Sequence, residues 1–314
     1  MDNIRDLVKS VVHNTTRTAK KGGGEAVFVA DKHTENAAEG DYIGDCGLMH
    51  CGKCGTPKQH RLPSTPKQHP VGLSWISRIY ESGIVPIMCK CVSEARQADE
   101  ERQKAKEFAQ RIERLRRDGL TDPAYLDWTF DIDDRQDAAI SDACRKYVDE
   151  WPQMRKSNVG LLFMGDVGTG KTFYACCIAN ALINKQIPVL VTNFPRLIRI
   201  MQATAFDKDN MDILNRLQKY ELVVIDDLGV ERGTEYAVEQ VYSVIDTRYR
   251  SGKPMIITTN LSPEDLKTPE SLAYGRIYDR VIESCPIMVR MDGEGRRKAI
   301  GKAKRDKYRD LLGF

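Results

Sequence analysis

The sequence holds 314 residues, 30% of them charged and 41% hydrophobic, with a net charge of +3. That length gives room for one large domain and something smaller, and the near balance of charge leaves any nucleic-acid argument to local clusters. The first residues carry no apolar secretion signal and no stretch is long and apolar enough to span a bilayer. A cytoplasmic protein with no membrane partner is expected, its nine cysteines kept reduced.

Residues 1–45 are expected to form an N-terminal flexible segment. Ile4, Leu7, Val8, Val11 and Val12 are spaced for a short amphipathic helix, and the run Lys20-Lys21-Gly22-Gly23-Gly24 marks loose chain. Residues 46–91 then read as a cysteine-rich module. Cys51 and Cys54 form a C-x-x-C-G turn, and Cys89 and Cys91 form a second close pair. Four thiolates at tetrahedral distances suit a structural Zn²⁺ ion, and four protein ligands leave no open position for a substrate. Cys46, His50, His60 and His69 are alternative ligands. Between the pairs Thr56-Pro57-Lys58-Gln59-His60 is repeated as Thr65-Pro66-Lys67-Gln68-His69. Two copies are too few for a solenoid, and their prolines suggest an extended loop.

Residues 92–120 are dense in charge, with Ala105, Phe108, Ala109, Ile112 and Leu115 along one face. This predicts a solvated linker helix ending near Gly119. Residues 121–314 should form the nucleotide domain. A helix carrying Ile140, Ala143, Tyr147 and Trp151 leads to the apolar segment 159–164, which reads as a buried strand.

Next comes Gly165-Asp166-Val167-Gly168-Thr169-Gly170-Lys171-Thr172, a full match to the phosphate-cradling pattern G-x-x-x-x-G-K-[ST]. Helical spacing of Ala175, Ile178, Ala179 and Leu182 follows it, so strand, glycine-rich turn and helix stand in the required order. Lys171 is expected to reach the β- and γ-phosphates of ATP, and Thr172 to bind Mg²⁺. Strands at 188–192, 222–225, 255–258 and 286–289 alternate with helical patterns, including one opened at Thr268-Pro269. The fold class is therefore α/β, a parallel five-stranded sheet with helices on both faces. Cys144, Cys176, Cys177 and Cys285 sit among apolar neighbours and read as small core residues.

The strand at 222–225 ends in Asp226 and Asp227. In a parallel sheet that end opens on the crevice holding the phosphate loop, so Asp226 is expected to hold Mg²⁺ and Asp227 to polarise the attacking water. Thr258-Thr259-Asn260 closes the next strand and would bring the Asn260 amide to the γ-phosphate. Arg276 and Arg280 lie at i, i+4 on one helix, where one of them suits an arginine finger entering a neighbouring subunit's nucleotide site. A basic tail starts at Arg296-Arg297-Lys298; one of its arginines is expected at the nucleotide, and the remaining basic residues suit DNA phosphates, acidic protein surfaces or, equally, plain solvent.

With these motifs assembled, the chain resembles the DnaC/DnaI/IstB group of AAA+ ATPases from about residue 160 to residue 297. The likeness rests on GDVGTGKT at 165–172, Asp-Asp-Leu-Gly at 226–229, TTNLSPEDL at 258–266 and GRIYDR at 275–280. It implies an AAA+ P-loop ATPase in which Asp227, Asn260 and Arg276 are catalytic, with Arg276 as the finger and Arg280 beside it at the nucleotide. It also implies that Arg297 matches the late sensor arginine, although Gly293-Glu294-Gly295-Arg296-Arg297 departs from the group's usual Gly-x-Ser-x-Arg. A cysteine module ahead of the ATPase is similar to the DnaI-type replicative helicase loaders. That resemblance implies a hexameric replicative helicase and single-stranded DNA as partners, and a homo-oligomer in the ATP state. The alternatives are an IstB-like regulator of transposition on duplex DNA and a small-molecule kinase, the latter disfavoured by Asp227, Asn260 and Arg276 together.

Overall fold

The computed structural model describes residues 37–61, 84–203, 210–229, 234–293, 304–306 and 308–309. The expected N-terminal helix, the second copy of the repeat with His69, and Arg296 and Arg297 lie outside the described residues. By its contacts the chain divides into two compact units, meeting between residues 106 and 107.

In the first unit β1 (Tyr42–Ile43) pairs antiparallel with β2 (Met49–His50), and β3 (Gln59–Arg61) with β4 (Ile84–Pro86). The Asp41 carboxylate ties the first hairpin to the turn after it, accepting from the N–H groups of Ala38 and Gly52 and from the Lys58 ammonium. Those donors, the Ala38 N–H foremost, hold its pKa at about 2. Gly52 lies so close to the Gly40 carbonyl that a Cβ there would sit 2.0 Å from the oxygen. The first copy of the repeat departs from the expected loop. Lys58 donates its N–H to Met49, the Gln59 side chain accepts from Met49, and Gln59 to Arg61 form the strand β3. Pro57 stands just ahead of that strand, where its missing donor costs no ladder bond.

Helix α1 (Lys90–Gly119) starts two residues before the expected linker, so Cys91 lies in its first turn. Its last turns also depart from a freely solvated linker. Ile112 and Leu115 pack on the core of the second unit, and Arg116 donates to the Asn184 side chain. Leu120 and Thr121 continue onto Val191, with the Thr121 hydroxyl donating to the Val191 carbonyl.

After α1 come α2 (Ala124–Asp127), α3 (Ala138–Asp149) and α4 (Trp151–Lys156). The helix expected across 140–151 is thus two, broken at Glu150 ahead of Pro152. The second unit then alternates β5 (Leu161–Gly165), α5 (Lys171–Asn184), β6 (Val189–Asn193), α6 (Phe194–Ala203), α7 (Asn210–Lys219), β7 (Leu222–Leu228), α8 (Glu235–Arg250) and β8 (Met255–Thr259). It closes with α9 (Pro263–Lys267), α10 (Leu272–Ser284) and β9 (Ile287–Met291). Helix α10 begins at Leu272 rather than at Pro269, because the Ser271 side chain caps the Tyr274 N–H.

All five strands run parallel, in the order β6-β7-β8-β5-β9. Neighbouring residues alternate between faces. Leu162, Met164, Val223, Ile225, Met255 and Ile257 pack with α6, α8 and α10, whereas Leu161, Phe163, Leu222, Val224 and Ile256 pack with α3 and α5. Both faces being covered accounts for the continuous apolar runs of the strands. Cys144, Cys176, Cys177 and Cys285 are buried in these two layers, as expected. No helix among the described residues is long and apolar enough to cross a membrane.

Gly119 joins α1 to the sheet edge, where a Cβ would stand 2.0 Å from the Val189 carbonyl oxygen. Gly119→Ala is therefore expected to lower the unfolding free energy by about 1–3 kcal/mol in a urea titration, since the contact is with backbone and cannot swing away.

Candidate functional site

Strand β5 ends in Gly165, which has a φ of +139° and lies against β9 so tightly that a Cβ would meet the Met291 oxygen at 2.1 Å. From there the chain turns through residues 166–169 to Gly170, which caps α5 in a left-handed conformation at φ +103°. Only glycine reaches these values without strain. The Thr169 hydroxyl braces the loop from within by donating to the Asp166 carbonyl at 2.9 Å. The result is a loop wrapped ahead of a helix N-terminus, an arrangement with a favourable field for anions.

Lys171 opens α5 and is only 5% exposed. A buried ammonium must satisfy its three donors. Lys171 Nζ donates to the carbonyls of Gly165 and Asp166, each at 2.7 Å, and to Asn260 Oδ1 at 2.8 Å. Thr172 follows, its hydroxyl donating to Asp226 Oδ1 at 2.8 Å. The structure thus brings Gly165 to Thr172, Asp226 and Asn260 together from β5, α5, β7 and the end of β8.

The two acids lie in an irregular part of β7. Its pairing with β8 shifts register between Ile225 and Leu228, and Asp227 adopts φ +61°, rare for a residue with a side chain. Asp226 is buried and Asp227 half-buried. Thr258, fully buried on β8, donates its hydroxyl to Asp226 Oδ1 and accepts the Asp227 N–H at 3.0 Å. Sequence reasoning passed over Thr258 because an apolar strand gives no sign of which threonine faces an acid. Its place one strand across from the paired acids is the signal that was available.

Helix α10 gives its two arginines different surroundings. Arg276 is exposed on α10, with no side-chain partner among the described residues. Arg280 is engaged within its own chain: Nε donates to Asp246 Oδ1 at 2.9 Å, and Nη2 to the Tyr242 hydroxyl at 3.1 Å. Its Nη1 donates to the Arg276 carbonyl at 3.0 Å, and its guanidinium lies over the Tyr242 ring. The structure does not bring Arg280 to the phosphate loop.

In the first unit the sulfur atoms of Cys51, Cys54, Cys89 and Cys91 all lie within 4.8 Å of one another. Cys51 to Cys91 is 3.6 Å and Cys89 to Cys91 is 3.4 Å. Tetrahedral Zn–S bonds of about 2.3 Å require sulfur separations of about 3.8 Å, so the donor set fits zinc. The protein also favours thiolates at the C-x-x-C turn. The N–H groups of Cys54 and Lys53 lower the Cys51 thiol, and the Thr56 hydroxyl helps hold Cys54 at about 5. Crowding by the neighbouring sulfurs, Cys89 first, pushes Cys91 up to about 12. Cys46 and His50 instead pair with each other, Sγ to Nε2 at 3.4 Å, and His60 lies on β3.

A family model described as "IstB-like ATP binding protein" matches residues 103–303 of the chain. Among curated proteins, the replicative helicase loader DnaI of Bacillus subtilis is 29% identical over 149 residues, 44% of this chain and 47% of that protein. The replicative helicase loader DnaC of Escherichia coli is 30% identical over 145 residues, 46% of this chain and 56% of that protein. The chain spans about half the length of these curated relatives. A solved structure of the DnaC helicase loader aligns with 55% of the chain and all of its own length, at 21% identity and a TM-score of 0.47.

Purified protein of this sequence is expected to carry about one zinc per chain by elemental analysis, the stoichiometry that a single four-sulfur site predicts. Cys51→Ser or Cys89→Ser is expected to lower that content sharply and to expose the remaining thiols to a colorimetric reagent.

Proposed function

The chain belongs to the family of IstB-like ATP binding proteins, and from that premise we propose that it is an ATPase that loads a ring-shaped, hexameric replicative helicase onto single-stranded DNA. The observation that carries this reading is the joining of an ATP-binding unit to a separate unit with a four-cysteine cluster. The curated relatives named as replicative helicase loaders support it. In this reading residues 46–91 are a zinc-stabilised module that engages the helicase, residues 92–120 link it onward, and residues 121–314 bind nucleotide and DNA. Such a protein works in the cytoplasm, where its helicase and DNA are.

In this proposal each residue of the site takes a role that its position supports. The loop 165–170 receives the β- and γ-phosphates of ATP on backbone N–H groups, and Lys171 exchanges its loop carbonyls for phosphate oxygens. Magnesium, when bound, neutralises phosphate charge, and Thr172 and Asp226 are the groups that would hold it. Asp227 orients and deprotonates the attacking water, and Asn260 fixes that water against the γ-phosphate. Arg276, exposed on α10, reaches the nucleotide of the next subunit in an ATP-bound homo-oligomer, so hydrolysis is slow in the isolated chain. Arg280 keeps the turn that carries it in place.

Size-exclusion chromatography with light scattering tests the proposal on the full chain mixed with the replicative helicase of its source. A stable complex is expected with ATP, lost in the Cys51→Ser, Cys89→Ser double variant. Lys171→Ala is expected to remove its nucleotide dependence. Absence of a complex, with ATP-dependent assembly on duplex DNA instead, overturns the reading in favour of a transposition regulator.

A further inference from the structure

We propose that Thr258 is a positioning residue of the nucleotide site, through which β8 sets the geometry of both acids on β7. The inference rests on the reading of Asp226 and Asp227 as the metal and water acids. Its argument is the double engagement of one hydroxyl. Thr258 Oγ1 donates to Asp226 Oδ1 and accepts the Asp227 N–H at 3.0 Å. Both are side-chain bonds, made where the β7–β8 register is interrupted between Ile225 and Leu228. At that interruption Asp227 has left the extended conformation for φ +61°. A left-handed aspartate is strained and persists only where its surroundings hold it.

Thr258 supplies that hold by giving the displaced N–H an acceptor in a layer closed to water, for its side chain is fully buried. The same hydroxyl fixes the carboxylate of the preceding residue. Asp226 Oδ1 accepts from Thr258 on one side and from Thr172 at 2.8 Å on the other. Two hydroxyls from two elements thereby set its rotamer. The next residue along β8 serves the same bulge, as Thr259 Oγ1 donates to the Leu228 carbonyl at 2.7 Å and accepts the Leu261 N–H at 3.0 Å. Asn260 follows directly, so one stretch of β8 both positions the acids and delivers the amide that meets Lys171. A hydroxyl at position 258 is therefore required, whereas an apolar side chain of equal volume would fill the space and release both acids.

The test measures affinity of the full chain for a fluorescent ATP analogue with Mg²⁺ and with EDTA, alongside ATP turnover. Thr258→Val is expected to lose about ten-fold of the Mg²⁺-dependent gain in affinity, the scale of a lost hydrogen bond to a charged group. Affinity in EDTA should stay close to wild type, and kcat should fall more than KM rises. Thr258→Ser, which keeps the hydroxyl, should restore the Mg²⁺-dependent gain. A Val variant equal to wild type, or Val and Ser variants equally impaired, overturns the inference. If Thr258→Val does not fold, Thr258→Cys, similar in size and a weak donor, takes its place with the same expected loss. Asp226→Asn measured in parallel separates the two readings. If it leaves the Mg²⁺-dependent gain intact, the assignment of the acids fails. If it abolishes the gain while Thr258→Val does not, only the role of Thr258 fails.

Discussion

The backbone contact between Gly165 and Met291 is the constraint on which the nucleotide site depends. Strand β5 lies between β8 and β9, and its last residue, Gly165, pairs with Met291 so closely that a Cβ would meet the Met291 backbone. The chain can leave the sheet there only by turning sharply, and that turn becomes the loop ahead of α5. Because β8 and β7 follow on the other side, their C-terminal ends deliver Asn260 and the two acids to the same rim. The order of strands, rather than any single contact, brings together residues as far apart in sequence as Lys171 and Asn260.

The charges at that rim are arranged so that each buried group has a partner. Lys171 would be costly to bury alone, and its three donors meet three acceptors. Those acceptors are neutral carbonyls and an amide. Asp226 is satisfied by hydroxyls in the same way. The rim thus gathers a buried ammonium and a buried carboxylate beside the glycine-rich loop.

Much of this was legible in the sequence. The glycines and Lys171 form a motif whose spacing is set by phosphate geometry, and alternating apolar runs announced the parallel sheet, its five strands and their order of appearance. The paired cysteines announced a metal cluster by the same logic, and the structure gathers those four sulfurs. Other features were hidden because tertiary contacts decide them. The strand expected to stop at Ile225 continues through a bulge to Leu228, and nothing in the apolar run signals a left-handed Asp227. The equivalence of Arg276 and Arg280 by spacing breaks down because Tyr242 and Asp246, on a different helix, engage only one of them. The charged helix read as a solvated linker carries an apolar face in its second half, and only the fold reveals that Ile112 and Leu115 have a core to meet.

The most direct test of the account is calorimetric titration of Mg²⁺-ATP into the full chain and into Lys171→Ala. The arrangement of β5, β7 and β8 predicts one site per chain in the wild type. It predicts an affinity weakened at least about thirty-fold in the variant, in keeping with a lost charge partner worth about 2 kcal/mol or more. Equal affinity in the two proteins would contradict it, because ATP would then be held somewhere other than the loop that follows β5.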